Sequence, residues 1–380
     1  MKRSAWLLLS ALAALPHAAA AQTDQEPWLD SYYPVIAYSG NDGVSFGARF
    51  TYTQRADFSA PYFRKGGLIA DASISASGSY LASLRFKAPG LVHGWRFDLT
   101  TSAAKQSRYE FYGLGERTPY HADSVSDDQP YYYKVRRAQL LAKGEVSRRI
   151  VGRWWLTGMA AWKQTDFTDL PGPSIFTATF GSTLSESDAM GRVGLVYDSR
   201  DNDYDTHRGL LVDVGMLHGT GEGDGYDRWT AEARAWVPFG EWKSTWLSGR
   251  VVASDATGDL PLDARFYLPV WEGQVRELGG AESHRGMLDQ RFVGRGLLFG
   301  TLTVHHDLFN AGGLAAGGLL LFADAGRVFE TDDFSFTTEG MKVGGGAGLY
   351  FRLMQTGVYT FNFAQGPDGF VFTLGNSWMF

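Results

Sequence analysis

Phe370-Val-Phe-Thr-Leu-Gly-Asn-Ser-Trp-Met-Phe380 is the stretch that decides the fold. Read as an extended strand, it sends successive side chains to opposite faces. Phe370, Phe372, Leu374, Trp378 and Phe380 then share one face, which Asn376 interrupts once, and Thr373, Gly375 and Ser377 share the other. One aromatic face and one small polar face suit a wall with lipid on one side and water on the other.

The same rhythm runs upstream. Candidate strands lie at 32–38 and 44–53, joined across the hairpin signal Gly40-Asn-Asp-Gly43, and at 68–77, 81–87 and from Trp95 to Ser102. A polar loop ending near Tyr131 separates these from strands at 134–146, 154–167 and 190–198, the last preceded by a loop from Asp169 to Asp188. Further strands follow at 210–218, 229–237, 246–253, 297–308, 319–329, 343–352, 359–364 and 370–380. This makes about sixteen strands, with the long connections after odd-numbered strands and mostly short ones after even-numbered strands. An even count brings both ends of a closed sheet to one side, and about 22 residues per strand and connection suffices for a tilted strand to cross the hydrocarbon. Closure also removes the sheet edges that lipid does not tolerate. The expected fold class is all-β, a transmembrane antiparallel β-barrel.

Composition agrees. The chain has 380 residues, 12 Trp, 18 Tyr, 25 Phe, 47 Gly and no Cys, so it makes no disulfide. Residues 1–21 read as a cleaved signal peptide: Lys2 and Arg3, an apolar run from Ala5 to Leu15, and Ala19-Ala20-Ala21 before Gln22. Residues 22–30 are then a short periplasmic segment and 31–380 the barrel. Loss of the two signal charges takes the net charge from −6 to about −8, which argues against a nucleic-acid partner. Slightly negative mean hydropathy does not contradict a membrane location, because each strand offers only one apolar face.

One connection is out of proportion. From Asp259 to Gly296 no periodic element is legible, yet Phe266, Tyr267, Leu268, Val270, Trp271, Leu278, Met287 and Phe292 need something to pack against. The expectation is a long extracellular loop folded into the barrel lumen, with Arg285-Gly286 at its tip.

Several motifs, taken in order, resemble the outer-membrane assembly-factor superfamily, which includes BamA, TamA, two-partner-secretion transporters and the bacterial surface antigens. Tyr112-Gly-Leu-Gly115 is similar to the Gly-x-Gly of its early loop. Asp198-Ser-Arg200-Asp-Asn202, with Arg208-Gly209 beyond, is similar to its periplasmic turn between two middle strands. Arg285-Gly286-Met287 stands where the family has Arg-Gly-Phe or Arg-Gly-Tyr, and Phe322-Ala-Asp324-Ala-Gly326 matches its Phe-x-Asp-x-Gly. A strand ending on Trp378 and Phe380 resembles the terminal signal read by the bacterial barrel assembly machinery, with Trp378 also an interfacial anchor. Met287 replaces the usual aromatic residue, and Thr303 and His305 stand where many members have Glu and Arg. With only residues 22–30 before the barrel, the chain resembles the branch without POTRA domains.

The resemblance implies a barrel in the bacterial outer membrane, both termini periplasmic, which moves proteins across or into that membrane. Its implied partners are lipid and lipopolysaccharide, the assembly machinery, and an unlinked soluble periplasmic or secreted protein. A gated or passive pore for small solutes is the alternative; an outer-membrane hydrolase would need a catalytic set at the rim that the sequence does not supply. No cofactor or metal is expected: His305-His306-Asp307 points neighbours to opposite strand faces, and Ser283-His284 is adjacency in sequence without a triad. Gly344-Gly-Gly-Ala-Gly348 lacks the Lys of a phosphate loop and fits a strand that makes room for a plug. Inside the lumen Arg285 needs a partner for its planar donor fork, and Asp324, which shares a face with Phe322, can accept two parallel hydrogen bonds. Gly286 lets the backbone approach the wall and Gly326 clears space beside it. In a partly wet lumen this clamp is expected to contribute on the order of 1 to 3 kcal/mol.

Overall fold

A computed structural model describes residues 28–39, 41–57, 61–221, 223–239, 244–311, 314–331, 334–353, 357–375 and 378–379. The signal at 1–21, most of the 22–30 segment, Asn376, Ser377 and Phe380 lie outside them.

Among the described residues, sixteen strands form one antiparallel meander. In order they are β1 (Trp28–Ser39), β2 (Gly43–Gln54), β3 (Gly67–Ser75), β4 (Tyr80–Val92), β5 (Trp95–Glu110), β6 (Lys134–Val151), β7 (Trp154–Thr168), β8 (Thr183–Asp198), β9 (Gly209–Gly219), β10 (Tyr226–Pro238), β11 (Thr245–Gly258), β14 (Gly296–Asn310), β15 (Ala315–Phe329), β16 (Lys342–Leu353), β17 (Gly357–Gly366) and β18 (Gly369–Gly375). Strands β1 and β18 are the two ends of this sheet. The long connection between β11 and β14 carries a short helix, α2 (Leu262–Phe266), and its own hairpin, β12 (Tyr267–Val270) with β13 (Gly273–Arg276). A further short helix, α1 (Ile175–Phe180), lies between β7 and β8, capped by the Ser174 side chain.

Alternation decides what each strand buries. Along β8, Glu186, Asp188, Met190, Arg192 and Val196 are buried while Val193 and Leu195 on the other parity are exposed. Along β15, Leu320, Phe322 and Asp324 turn inward and Leu319 and Leu321 outward. The outward residues form the apolar band, and Trp154 packs edge-on against Tyr197 at 5.2 Å on that face near the short-turn end. Buried arginines, carboxylates and aromatics fill the inside around the long loop, so the core of the molecule is its lumen.

Several expectations are corrected. Strands β5 and β6 run to 16 and 18 residues, so the polar stretch after Ser102 continues as wall to Glu110, past an irregularity between Gln106 and Tyr109. Likewise β8 begins at Thr183, because polar inward residues obey the same period as apolar ones. The 259–296 connection has elements of its own, too short to show a period. Strand β18 ends at Gly375, and Trp378 does not stay on the outer face. Its ring lies inside, 5.2 Å from His305 and 5.1 Å from Tyr350. Parity holds only while a strand continues, and the lumen offers this indole an aromatic wall of Trp246, His305 and Tyr350.

Candidate functional site: a loop locked inside the sheet

The loop between β11 and β14 is held at its base, at its hairpin tip and at Arg285. At the base, the Glu186 carboxylate on β8 accepts from the backbone N–H groups of Leu262 (2.6 Å) and Asp263 (3.0 Å), which open α2. Asp263 in turn takes Arg137 at 2.5 Å and Lys163 at 2.7 Å. Burial opposes ionisation of Asp263, but these two cations override it and hold its carboxyl well below the usual carboxylate range.

The hairpin tip, Trp271-Glu272, reaches the opposite wall. The Trp271 N–H donates to Asp213 at 2.7 Å, its indole N–H to Ser147 Oγ at 2.8 Å, and the Arg96 guanidinium lies 4.9 Å from its ring. Glu272 takes Arg96 Nε at 2.5 Å and Lys87 Nζ at 2.7 Å, and Arg96 also reaches Asp203 at 3.2 Å. A φ of 54° at Glu272 places this non-glycine residue in the left-handed region, where the pairs with Arg96 and Lys87 hold it. Burial would again raise its carboxyl, and Arg96 with Lys87 instead depress it well below the usual range.

At Arg285 the guanidinium grips Asp324 of β15 with both arms of its fork, Nε to Oδ2 at 3.0 Å and Nη2 to Oδ1 at 2.7 Å. Its backbone N–H adds a third bond to Oδ2 at 2.9 Å. Nη2 also reaches Thr301 and Thr303 on β14, and Phe322 lies under the guanidinium at 3.6 Å. Arg285 is 3% and Asp324 1% exposed, so the pair is buried, with Arg285 and Thr303 bordering a polar cavity of about 230 Å³. Thr303, at one of the positions where the family resemblance leads one to expect a charge, serves as an acceptor for the clamp.

Glycines permit the fit. A Cβ on Gly366 of β17 would sit 2.2 Å from the Gly286 carbonyl oxygen, and one on Gly326 would sit 2.5 Å from Leu278. On Gly344 it would meet the His284 ring at 2.6 Å, which is the room for a plug expected of that glycine run. Met287 is fully buried among Leu278, Phe299 and Val328. Ser283 donates to the Glu277 carbonyl at 2.7 Å and His284 meets the Lys342 carbonyl at 3.1 Å, so both serve the loop's shape.

The other motif residues converge on the same loop. Leu114 bridges Val293, and the Gly115 N–H donates to the Val293 carbonyl at 2.7 Å, both flanking glycines having positive φ. At the short-turn end Arg200 pairs with Asp198 in two parallel bonds of 2.9 Å and lies 5.8 Å from the Trp271 ring. The Asn202 side chain accepts from the N–H groups of Tyr204 and Asp205, closing the turn. Gly209, at φ 131°, leaves no space for a Cβ beside Arg200. Asp203 and Asp205 tie this turn across the opening, to the Phe63 N–H at 2.7 Å and to Arg352.

Sequence reasoning marked Trp271 only as a loop residue in need of packing, and missed Glu272, Arg96, Arg137 and Asp263. The one available signal was charge at the inward parity of β5 and β6, which in a barrel demands a partner.

Such an arrangement is a barrel-forming sheet whose lumen is occupied by its own loop, held by buried ion pairs that can be broken and remade without any covalent step. The chain belongs to the Omp85 superfamily, whose domain model matches residues 41–378. Among solved structures it is similar to BamA from Haemophilus ducreyi lacking POTRA domains 1–3, with a TM-score of 0.58 and 11% identity over 92% of this chain and 69% of that one. It is also similar to CdiB from Escherichia coli, with a TM-score of 0.57 and 12% identity over 94% of this chain and 62% of that one. CdiB from Acinetobacter baumannii gives 0.53 and 13% over 93% and 58%. Comparison with curated proteins by sequence finds no match. Members of the superfamily are non-enzymatic assembly and translocation barrels of the outer membrane that work with other proteins.

Proposed function

We propose that this chain moves a polypeptide across or into the bacterial outer membrane by releasing the lumenal loop from its anchors, and that it is not an enzyme. The observation that carries this reading is the way the loop is held. Ion pairs of Arg285–Asp324 and Arg96–Glu272 fix it inside the sheet, and such pairs gain much of their partners' hydration back when they part, so they suit a reversible lock. Residues 1–21 act as an export signal and 22–27 as a periplasmic lead. The barrel begins at Trp28, since β1 already pairs Trp28, Leu29 and Asp30 with β2 and so moves the boundary expected at residue 31; both termini are periplasmic and the long loops outside. Lipid and lipopolysaccharide contact the outer band, the barrel assembly machinery inserts the chain, and an unlinked periplasmic or secreted protein is its client. Comparing outer-membrane and secreted proteins of a deletion strain with its parent tests this. A specific polypeptide should be lost and restored by the wild-type gene but not by a variant whose loop cannot leave the lumen; unchanged protein content in both fractions contradicts it.

The pore reading has an observation of its own, an open space beside the loop.

A further inference from the structure

The loop fills only part of the lumen. Between its hairpin and the wall from β2 to β7 lies a cavity of about 600 Å³, lined on one side by Ser45, Ser73, Ser75 and Ser102 and on the other by Gln274 and Arg276. Towards the short-turn end the inward register continues from Ser73 to Asp71 and Arg49, then to Arg85 and Lys87. These positions are ion-paired in an uneven way. Arg49 and Asp71 have side-chain exposures of 44% and 20%, Arg85 and Asp98 of 41% and 2%, and Lys87 and Glu272 of 34% and 10%. Each pair turns its cation to water and keeps its carboxylate against the wall or the loop. Lys143–Glu145 and Lys163–Asp263, beside the cavity, repeat the bias, and Arg276–Glu282 on the loop side, at 28% and 48%, is the exception.

The cavity lining itself holds Lys105, Arg137, Lys143, Lys163 and Arg276 against Asp42 and Asp263, so with this orientation the wall presents a positive surface to whatever enters it, and low-dielectric walls focus that field. We infer that the passage along β2 to β6 conducts small inorganic anions in preference to cations while the loop remains locked in place. This goes beyond the proposed protein movement and does not depend on it: a barrel with no client would still conduct.

Purified full-length protein in planar bilayers under a potassium chloride gradient tests it. The expected result is a steady conductance whose reversal potential favours chloride, with selectivity strengthening as salt is lowered and screening falls. Arg49→Gln/Arg85→Gln, which touches neither loop anchor, should move the permeability ratio towards potassium, and Arg49→Lys/Arg85→Lys should keep it near wild type. If folding suffers in the glutamine variant, the wild-type reversal potential alone decides. Potassium preference in the wild type, no conductance from folded protein, or a ratio unmoved in a folded glutamine variant overturns the inference.

Discussion

Arg285 carries more of the loop's attachment than a lone loop arginine would, because every acceptor around it is itself buried. Breaking a buried pair by removing one partner costs about 3 to 5 kcal/mol, as the surviving charge is left without compensation. Arg285→Ala and Asp324→Ala are therefore each expected to destabilise by roughly that amount, above the range expected from sequence for a wet lumen. The double variant should lose little more than either single one, since one interaction is shared. Unfolding of the heat-modifiable species on gels, run as a double-mutant cycle, checks this; simple additivity would mean that the two side chains act independently. Glu277 is the opposite case. Both its carboxylate oxygens are buried without a hydrogen-bond partner, and burial, only partly offset by Arg228 and Arg265, pushes its carboxyl well above the usual range. An acid whose folded value is raised loses stability as pH climbs from its unfolded value of about 4.3 through the folded one. Glu277→Gln is expected to match wild type in mild acid and to exceed it above neutrality, and a variant less stable at high pH would show that the carboxylate is held by something more.

At the scale of elements, the hairpin of β12 and β13 is the loop's second hold. Glu272 is depressed by Arg96 and Lys87, so its contribution is present above the unfolded carboxylate value and is lost only as pH falls through a folded value well below it. Glu272→Gln is accordingly expected to loosen the tip at neutral pH, seen as faster proteolysis of the loop, while wild type resists through mild acid; equal cleavage of the two at neutral pH would contradict this. The strands themselves were legible in sequence because period-2 alternation is a local property, and so were Asp324 and Phe322, which share a parity on one strand. The clamp partner Arg285 was legible because the family resemblance singled out Arg285-Gly286 and Asp324, and a guanidinium inside a barrel needs a carboxylate. The tip was not, because Trp271 and Glu272 find their partners on β5, β6 and β9, far away in sequence and with no pattern to announce them. Trp378 was misplaced for a related reason: alternation says which face a residue takes while the strand lasts, and nothing in it says where the strand stops. Its inward position makes Phe380, outside the described residues, the remaining candidate for a terminal assembly signal. Deleting Phe380 should lower the yield of folded barrel far more than expression, and equal folded yield would show the terminal pattern to be incidental.

For the whole molecule, a sheet with an apolar exterior and a charged interior has one stable setting, a bilayer around it and water within. The mature protein is expected in the outer-membrane fraction with heat-modifiable migration; recovery as a soluble periplasmic species would remove the membrane reading. The central claim is that the long loop is locked within this sheet by the Arg285 clamp, and the absence of cysteine from the chain allows it to be tested directly. Ser283 is fully buried beside the clamp, whereas Asp127 is exposed on the loop between β5 and β6. A single Ser283→Cys, nearly isosteric, is expected to resist a water-soluble thiol reagent in the folded protein, while Asp127→Cys reacts freely. Adding Asp324→Ala should make Ser283→Cys reactive without unfolding the barrel. Labelling of Ser283→Cys as fast as Asp127→Cys with Asp324 intact would contradict the locked loop.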